Sequence, residues 1–336
     1  MPDTAEQLDE LLESGELVRK LVTRARKEGA PEWFQPWPEI ECEAVSLRWH
    51  DELRARPAPD RSVRAGPQGS PGVEQSSVGG PLLWPADEPW PGCGGEHPED
   101  HLDAGPDDPA QGPLVPVLQI FAADVPDLPF PAGTDLLQVL WCPFDHQPWC
   151  SPRPHLRWRR RADVGTRRET MPTPHEDADP ALVPDPCTVD PEPVVEYPSH
   201  DLPPEVWGQI DDTVRRVAEQ TGWQYEYDLS EASGTKAGGY PGWAQSPDWP
   251  VCECGTGMSH LLTIASWEFS RGDERRWIPV EDRPAMAGWS FDGDDDHPWR
   301  AVQNPAGIML GDAGGSYLFV CPSCPERPFD YRFDCS

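Results

Sequence analysis

The sequence predicts a β-rich α+β fold, built from internally duplicated antiparallel sheet units with peripheral helices. Two observations carry that expectation. Gly79-Gly80 opens a stretch through Trp84, Trp90 and Pro91 to Cys93, and the same residues return at Gly238, Gly239, Trp243, Trp249, Pro250 and Cys252. The spacing is constant, since 238 − 79, 243 − 84 and 252 − 93 all give 159. Each stretch then leads into short apolar runs in matching order. Val117 to Ile120 answers Leu261 to Ile264, and the run ending in Cys142-Pro143 answers the one ending in Cys321-Pro322. One repetition at this length describes a duplicated domain, because solenoid periods are roughly 20–50 residues.

The elements follow in chain order. Residues 1–55 read as an N-terminal helical segment with a lead-in strand: Thr4 and Gln7 form a capping box, Leu8, Leu11, Leu12, Leu17, Val18, Leu21 and Val22 recur near helical spacing, and Gly29 is a stop. The first repeat spans 56–143, with an acidic Pro/Gly insertion at 94–113. Residues 144–204 are a Pro-rich connector containing seven Arg between Arg153 and Arg168. A strand from His155 to Arg161, its arginines paired with the protein's own carboxylates, is the expected form of that basic run. The second repeat, 205–336, opens with an amphipathic helix marked by Val206, Ile210, Val214 and Val217 and carries a Cys cluster. Met258, His260, Leu262 and Ile264 should share one face of a strand, and Tyr317 to Val320 should be buried on both faces.

Composition narrows the function classes. The chain has 336 residues, 44 of them Pro, and its 59 acidic against 27 basic side chains give a net charge of −32. Nucleic acid and anionic membrane need a basic face, so neither is an expected partner. A protein partner, basic in character, fits the charge. No stretch approaches the ~20 apolar residues of a membrane helix, and the N-terminus lacks a signal peptide's order of basic, apolar and small residues. Cytoplasmic residence is the resulting expectation. In that compartment ten Cys should be reduced.

Four of those cysteines stand out. Cys252, Cys254, Cys321 and Cys324 form two short pairs, and Zn2+ takes four thiolate or imidazole ligands at tetrahedral corners. Structural zinc and buried thiols are both open readings, with redox use a third and Cys335 a substitute ligand. The first repeat has single cysteines, Cys93 and Cys142, at the corresponding places, so only the second half is expected to hold a ligand set.

Other candidates are weaker. Asp292, Asp294, Asp295 and Asp296 suggest a calcium loop, but His297 and Gln303 stand where its Gly and Glu belong, so a solvated acidic loop is expected. His260 reads as a hydrogen-bonded core histidine. Trp84/Trp243 and Trp90/Trp249 read as core anchors where the Gly-Gly turn folds over the sheet. No phosphate-binding loop, nucleophile elbow or zinc-protease helix is present, and no catalytic residue is assigned.

These motifs also resemble a known family. Gly238-Gly239 with Pro241 and Trp243, then Cys252-Glu253-Cys254-Gly255, Leu261-Leu262, Gly311 to Gly314 and Tyr317 to Pro322 resemble the YwqG-like family of bacterial proteins, a domain of unknown function, over roughly 40–336. The second repeat is similar to programmed-cell-death-protein-2 relatives, protein-binding chaperones in which two residues separate the first cysteine pair instead of one. The resemblance implies a duplicated β-rich fold and a non-catalytic protein-interaction role, chaperone-like or scaffolding. An acidic immunity or antitoxin-type inhibitor of a basic toxin is the alternative, and a hydrolase or small-molecule binder using the cleft between repeats is the third.

Overall fold

The computed structural model describes residues 43–50, 71–94, 112–147, 150–196, 198–200, 204–221, 224–269 and 302–335. The expected N-terminal helix, most of the acidic insertion and the Asp292–Asp296 loop lie outside these residues. Ten strands are described: β1 (Glu43–His50), β2 (Ser77–Val78), β3 (Val115–Phe121), β4 (Leu136–His146), β5 (Ser151–Arg159), β6 (Cys187–Val195), β7 (Lys236–Gly238), β8 (Ser259–Ala265), β9 (Gly315–Val320) and β10 (Phe329–Asp334). They hydrogen-bond in the order β10-β9-β8-β7-β1-β6-β2-β3-β4-β5, every described pairing antiparallel. The fold is thus β-rich α+β, with two four-stranded meanders joined through β1 and β6.

The meanders share their register. Val78 pairs with Leu118 as Ala237 pairs with Leu262. Gln119 faces Gln138 as Thr263 faces Tyr317, and Leu136 faces Arg159 as Gly315 faces Asp334. A β-bulge interrupts each at the same place, between Pro116 and Leu118 in one and between His260 and Leu262 in the other. A bulge inserts one residue and so changes which side chains share a face. This corrects the single-face expectation for Met258, His260, Leu262 and Ile264. Leu262 and Ile264 join the main core, whereas Met258 packs with Trp243, Tyr317 and Phe319, and the His260 ring lies 5.7 Å from that of Phe319.

The main core draws on both meanders. Val78, Val117, Leu118, Ile120, Val139 and Trp141 meet Ala237, Leu261, Ile264, Ile308, Leu310 and Leu318. Burying such a side chain contributes about 1.5–3 kcal/mol. The end strands β5 and β10 approach each other, so the sheet curls around this core. Proline is tolerated at an outer strand because no ladder bond is needed on the open side, which suits Pro152 and Pro154 in β5. The arginine-rich run is a strand, but it spans Ser151–Arg159 and stops short of Arg161, which lies in a 3-10 turn.

The second expected helix is present as α1 (Pro204–Thr221), opened by a proline in its first turn. It docks through Val214 and Trp207, whose ring lies 5.9 Å from that of Tyr225. No helix among the described residues is long and apolar enough to cross a membrane.

Candidate metal centre

Each meander begins with its two glycines in the left-handed region, φ +71° and +87° at Gly79-Gly80 and +74° and +72° at Gly238-Gly239. Glycine enters this region without the steric cost of a Cβ. The turn throws a loop across the sheet, where Trp84 and Trp243 are buried as the expected anchors while Trp90 and Trp249 are half-buried against them, with ring centroids 4.8 Å and 6.2 Å apart. The loop then closes a small hairpin. Leu114 N–H bonds Pro91 O and Cys93 N–H bonds Gly112 O in the first half, just as Met258 bonds Pro250 and Cys252 bonds Thr256 in the second. The second-half hairpin closes over the three residues 253–255.

In the second half this short tip is a metal-binding knuckle in form. Cys252 O accepts from Gly255 N–H at 2.8 Å, with Gly255 at φ +85°, so that Cys252 and Cys254 turn toward the same side. A second knuckle follows β9. Cys324 N–H points at the Cys321 sulfur at 3.4 Å, and Arg327 donates to the Cys321 carbonyl at 3.1 Å. Thr256 and Ser323 hydroxyls join the two turns at 3.3 Å.

The four sulfurs meet. Cys252 and Cys324 are 3.9 Å apart, Cys254 and Cys321 3.6 Å, and all four lie within 4.8 Å of one another. Tetrahedral coordination with sulfurs at ~2.3 Å requires separations of about 3.8 Å, so the group has the dimensions of a four-thiolate site. Cys321 is fully buried and Cys252 nearly so, whereas Cys254 is exposed, which leaves an entry side. Hydrogen bonds from the Thr256 hydroxyl and backbone hold the Cys254 thiol down at about 6. The Cys254 and Cys321 sulfurs in turn push Cys324 up to about 12. The cluster therefore holds one thiolate easily and resists becoming all-anionic. A bound cation removes that resistance, and its binding releases protons.

The remaining candidates have structural places. His260 is buried, with Nδ1 3.0 Å from Gly238 O and Nε2 3.0 Å from Thr263 Oγ1. The carbonyl can only accept, so Nδ1 donates and Nε2 accepts from the hydroxyl, which is the neutral tautomer. Burial, with Lys236 nearby, lowers its pKa to about 3. Cys335 packs against Gly311 and Gly314, away from the four-sulfur group.

One group was missed. Cys93 and Cys142 converge, and with them comes His146, whose Nε2 is 3.4 Å from the Cys93 sulfur. All three ligand atoms lie within 4.8 Å of one another. The signal in the sequence is Cys142-x-x-x-His146 standing where the second half has Cys321-x-x-Cys324; matching cysteine only to cysteine hides it. No protein-family model matches the chain, and no curated protein does.

Proposed function

We propose that this chain is a non-catalytic protein-interaction domain of YwqG-like type, chaperone-like or scaffolding, whose second half is clamped by one structural Zn2+ on Cys252, Cys254, Cys321 and Cys324. The observation that carries the reading is the closed four-sulfur set at the junction of two knuckles. Four protein ligands leave no open corner for substrate, which is the pattern of structural zinc, and a thiolate-rich tetrahedron suits zinc over calcium or magnesium. Such an ion ties the Trp243 loop to the end of β9. Buried polar groups elsewhere serve packing in the same way: Lys236 and Glu196 pair at 2.9 Å, and His260 is satisfied on both nitrogens.

The charge of −32 favours a basic protein partner, met by electrostatically steered association. Capture with the full chain as bait, at low and at high salt, tests the role. A defined basic protein should bind stoichiometrically, with an association rate that falls as salt rises. Turnover of a hydrolase substrate by the purified chain, abolished by a point substitution in it, would replace this reading with an enzymatic one.

A further inference from the structure

We propose that Cys93, Cys142 and His146 form a second metal-binding site, in the first half, suited to a zinc-like divalent cation held by two thiolates and one imidazole. The argument begins with position. Cys93 follows the same hairpin-base bonds as Cys252, and Cys142 follows β4 residues that pair in the same register as those leading to Cys321. His146, four residues past Cys142, then reaches the place that Cys324 fills from three residues past Cys321. Three of the four corners of the second-half cluster thus have a metal-ligand side chain in the first half.

The dimensions fit. With a metal–sulfur bond of ~2.3 Å and a metal–nitrogen bond of ~2.0–2.1 Å, tetrahedral angles put sulfur and nitrogen roughly 3.5 Å apart. The Cys93 sulfur and His146 Nε2 are 3.4 Å apart. Cys142 and His146 are each 2% exposed, and Cys142 packs among Leu82, Trp84, Leu114 and Leu140. Apolar side chains pack against both cysteines, and Cys93 is the more exposed of the two. Two soft sulfurs and an imidazole select zinc over hard, oxygen-seeking cations.

Binding would exchange two S–H bonds for two sulfur–metal bonds, with both protons released to solvent. Two thiolates balance a dication. Three protein donors leave one tetrahedral corner for water, unlike the closed four-sulfur set, so this site should exchange its ion faster.

The test is zinc stoichiometry of the full chain by native mass spectrometry, supported by elemental analysis, after removal of metal and titration with Zn2+ alone. Two ions per chain are expected. Cys142→Ser and His146→Gln should each retain one, Cys321→Ser should retain the other, and combining Cys142→Ser with Cys321→Ser should abolish binding. Cobalt substitution gives an independent readout: the ion remaining in Cys321→Ser should show weaker thiolate charge-transfer absorption than that remaining in Cys142→Ser, since two sulfurs replace four. Should Cys142→Ser fail to fold, Cys93→Ser at the half-buried rim provides the same loss of one ion. A single ion per chain that survives Cys93→Ser and Cys142→Ser would overturn the proposal, as would a Cys93–Cys142 disulfide in peptides mapped under native conditions. Loss of an ion with Cys142→Ser but none with Cys321→Ser would uphold this site and instead remove the four-sulfur zinc clamp, so the two readings fail separately.

Discussion

The two meanders pair their strands in the same register and differ in the chemistry that holds them. In the first, Gln138 Nε2 donates to the Leu83 carbonyl at 2.9 Å, and in the second the register-equivalent Tyr317 donates its hydroxyl to the Gly242 carbonyl. Arg159, at the end of β5, carries Gln138 on Nε, forms a bidentate pair with Glu88 at 2.6 Å and lies over the Trp84 ring at 4.1 Å. Its counterpart, Asp334 at the end of β10, accepts from the loop's Ala244 and Gln245 N–H groups. The lesson is that the fold requires a donor to the loop carbonyl and a polar partner at the strand end. It does not require a particular residue, or even a particular sign of charge.

The largest expected difference between the halves lies beneath the first turn of each meander. Lys236 in β7 pairs with Glu196 at 2.9 Å, both side chains at most 1% exposed, and Glu196 also accepts from Ala232 and Tyr240 N–H. Removing one partner of a buried pair leaves an uncompensated charge and costs about 3–5 kcal/mol. Glu196→Ala should therefore lower stability by that much in urea unfolding. The first half has Ser77 at the position of Lys236, its hydroxyl buried without a hydrogen-bond partner among the described residues. Ser77→Ala should be neutral or slightly stabilising, because it removes an unsatisfied group. Equal losses from both substitutions would break the comparison.

Acid should also act on the halves unequally. At the bulge, the second half has His260 where the first has Pro116. The unfolded chain binds a proton at His260 below its ordinary value near 6.5, while the folded protein refuses it down to about 3. Unfolding thus takes up a proton in that window, and stability falls with decreasing pH, by at most about 1.4 kcal/mol per pH unit. His260→Gln should flatten the dependence of the urea midpoint on pH between about 6.5 and 4. The slope that remains includes His155 in β5, lowered in the same direction by burial and by Arg157 and Arg153. Glu88 acts elsewhere on the scale: Arg159 holds it below 4.5, so its contribution persists until pH falls through that lower value.

Smaller effects sharpen the loop clamps. Gln138→Ala strands the Leu83 carbonyl, a lone pair of Gln119 and the Arg159 Nε–H, and should cost about 1–3 kcal/mol. Tyr317→Phe leaves one carbonyl unmatched and should cost about 1 kcal/mol, with hydrogen exchange quickening in the 240–245 loop. At the bottom of the scale, Arg161 and Glu74 pair at 2.7 Å with both side chains about half exposed, and Arg161→Ala should change stability by about 0–1 kcal/mol.

Much of this architecture was legible because turn chemistry leaves fixed residues. The Gly-Gly pairs mark left-handed backbone, the paired tryptophans mark anchors, and their common offset gave the equivalence of the two hairpins before any strand was placed. The four cysteines were legible as well, since short pairs are how two turns present sulfurs to one point. Long-range pairing was not. Nothing local tells that β1 joins β7, that β6 joins β2, or that Glu196 meets Lys236 across 40 positions. Bulges were invisible too, because one inserted residue breaks the alternation from which a strand face is read. His146 escaped for a different reason: histidine can replace cysteine at a metal corner, but a repeat compared letter by letter does not show the exchange.

The most direct test of the metal clamp is zinc K-edge X-ray absorption on the Cys142→Ser variant, which isolates the second half. Four sulfurs at ~2.3 Å around one zinc per chain is the predicted shell, lost together with thermal stability when Cys321→Ser is added. A shell dominated by nitrogen or oxygen, or metal-free protein whose melting is unmoved by chelator, would contradict it and leave Cys252, Cys254, Cys321 and Cys324 as packed thiols.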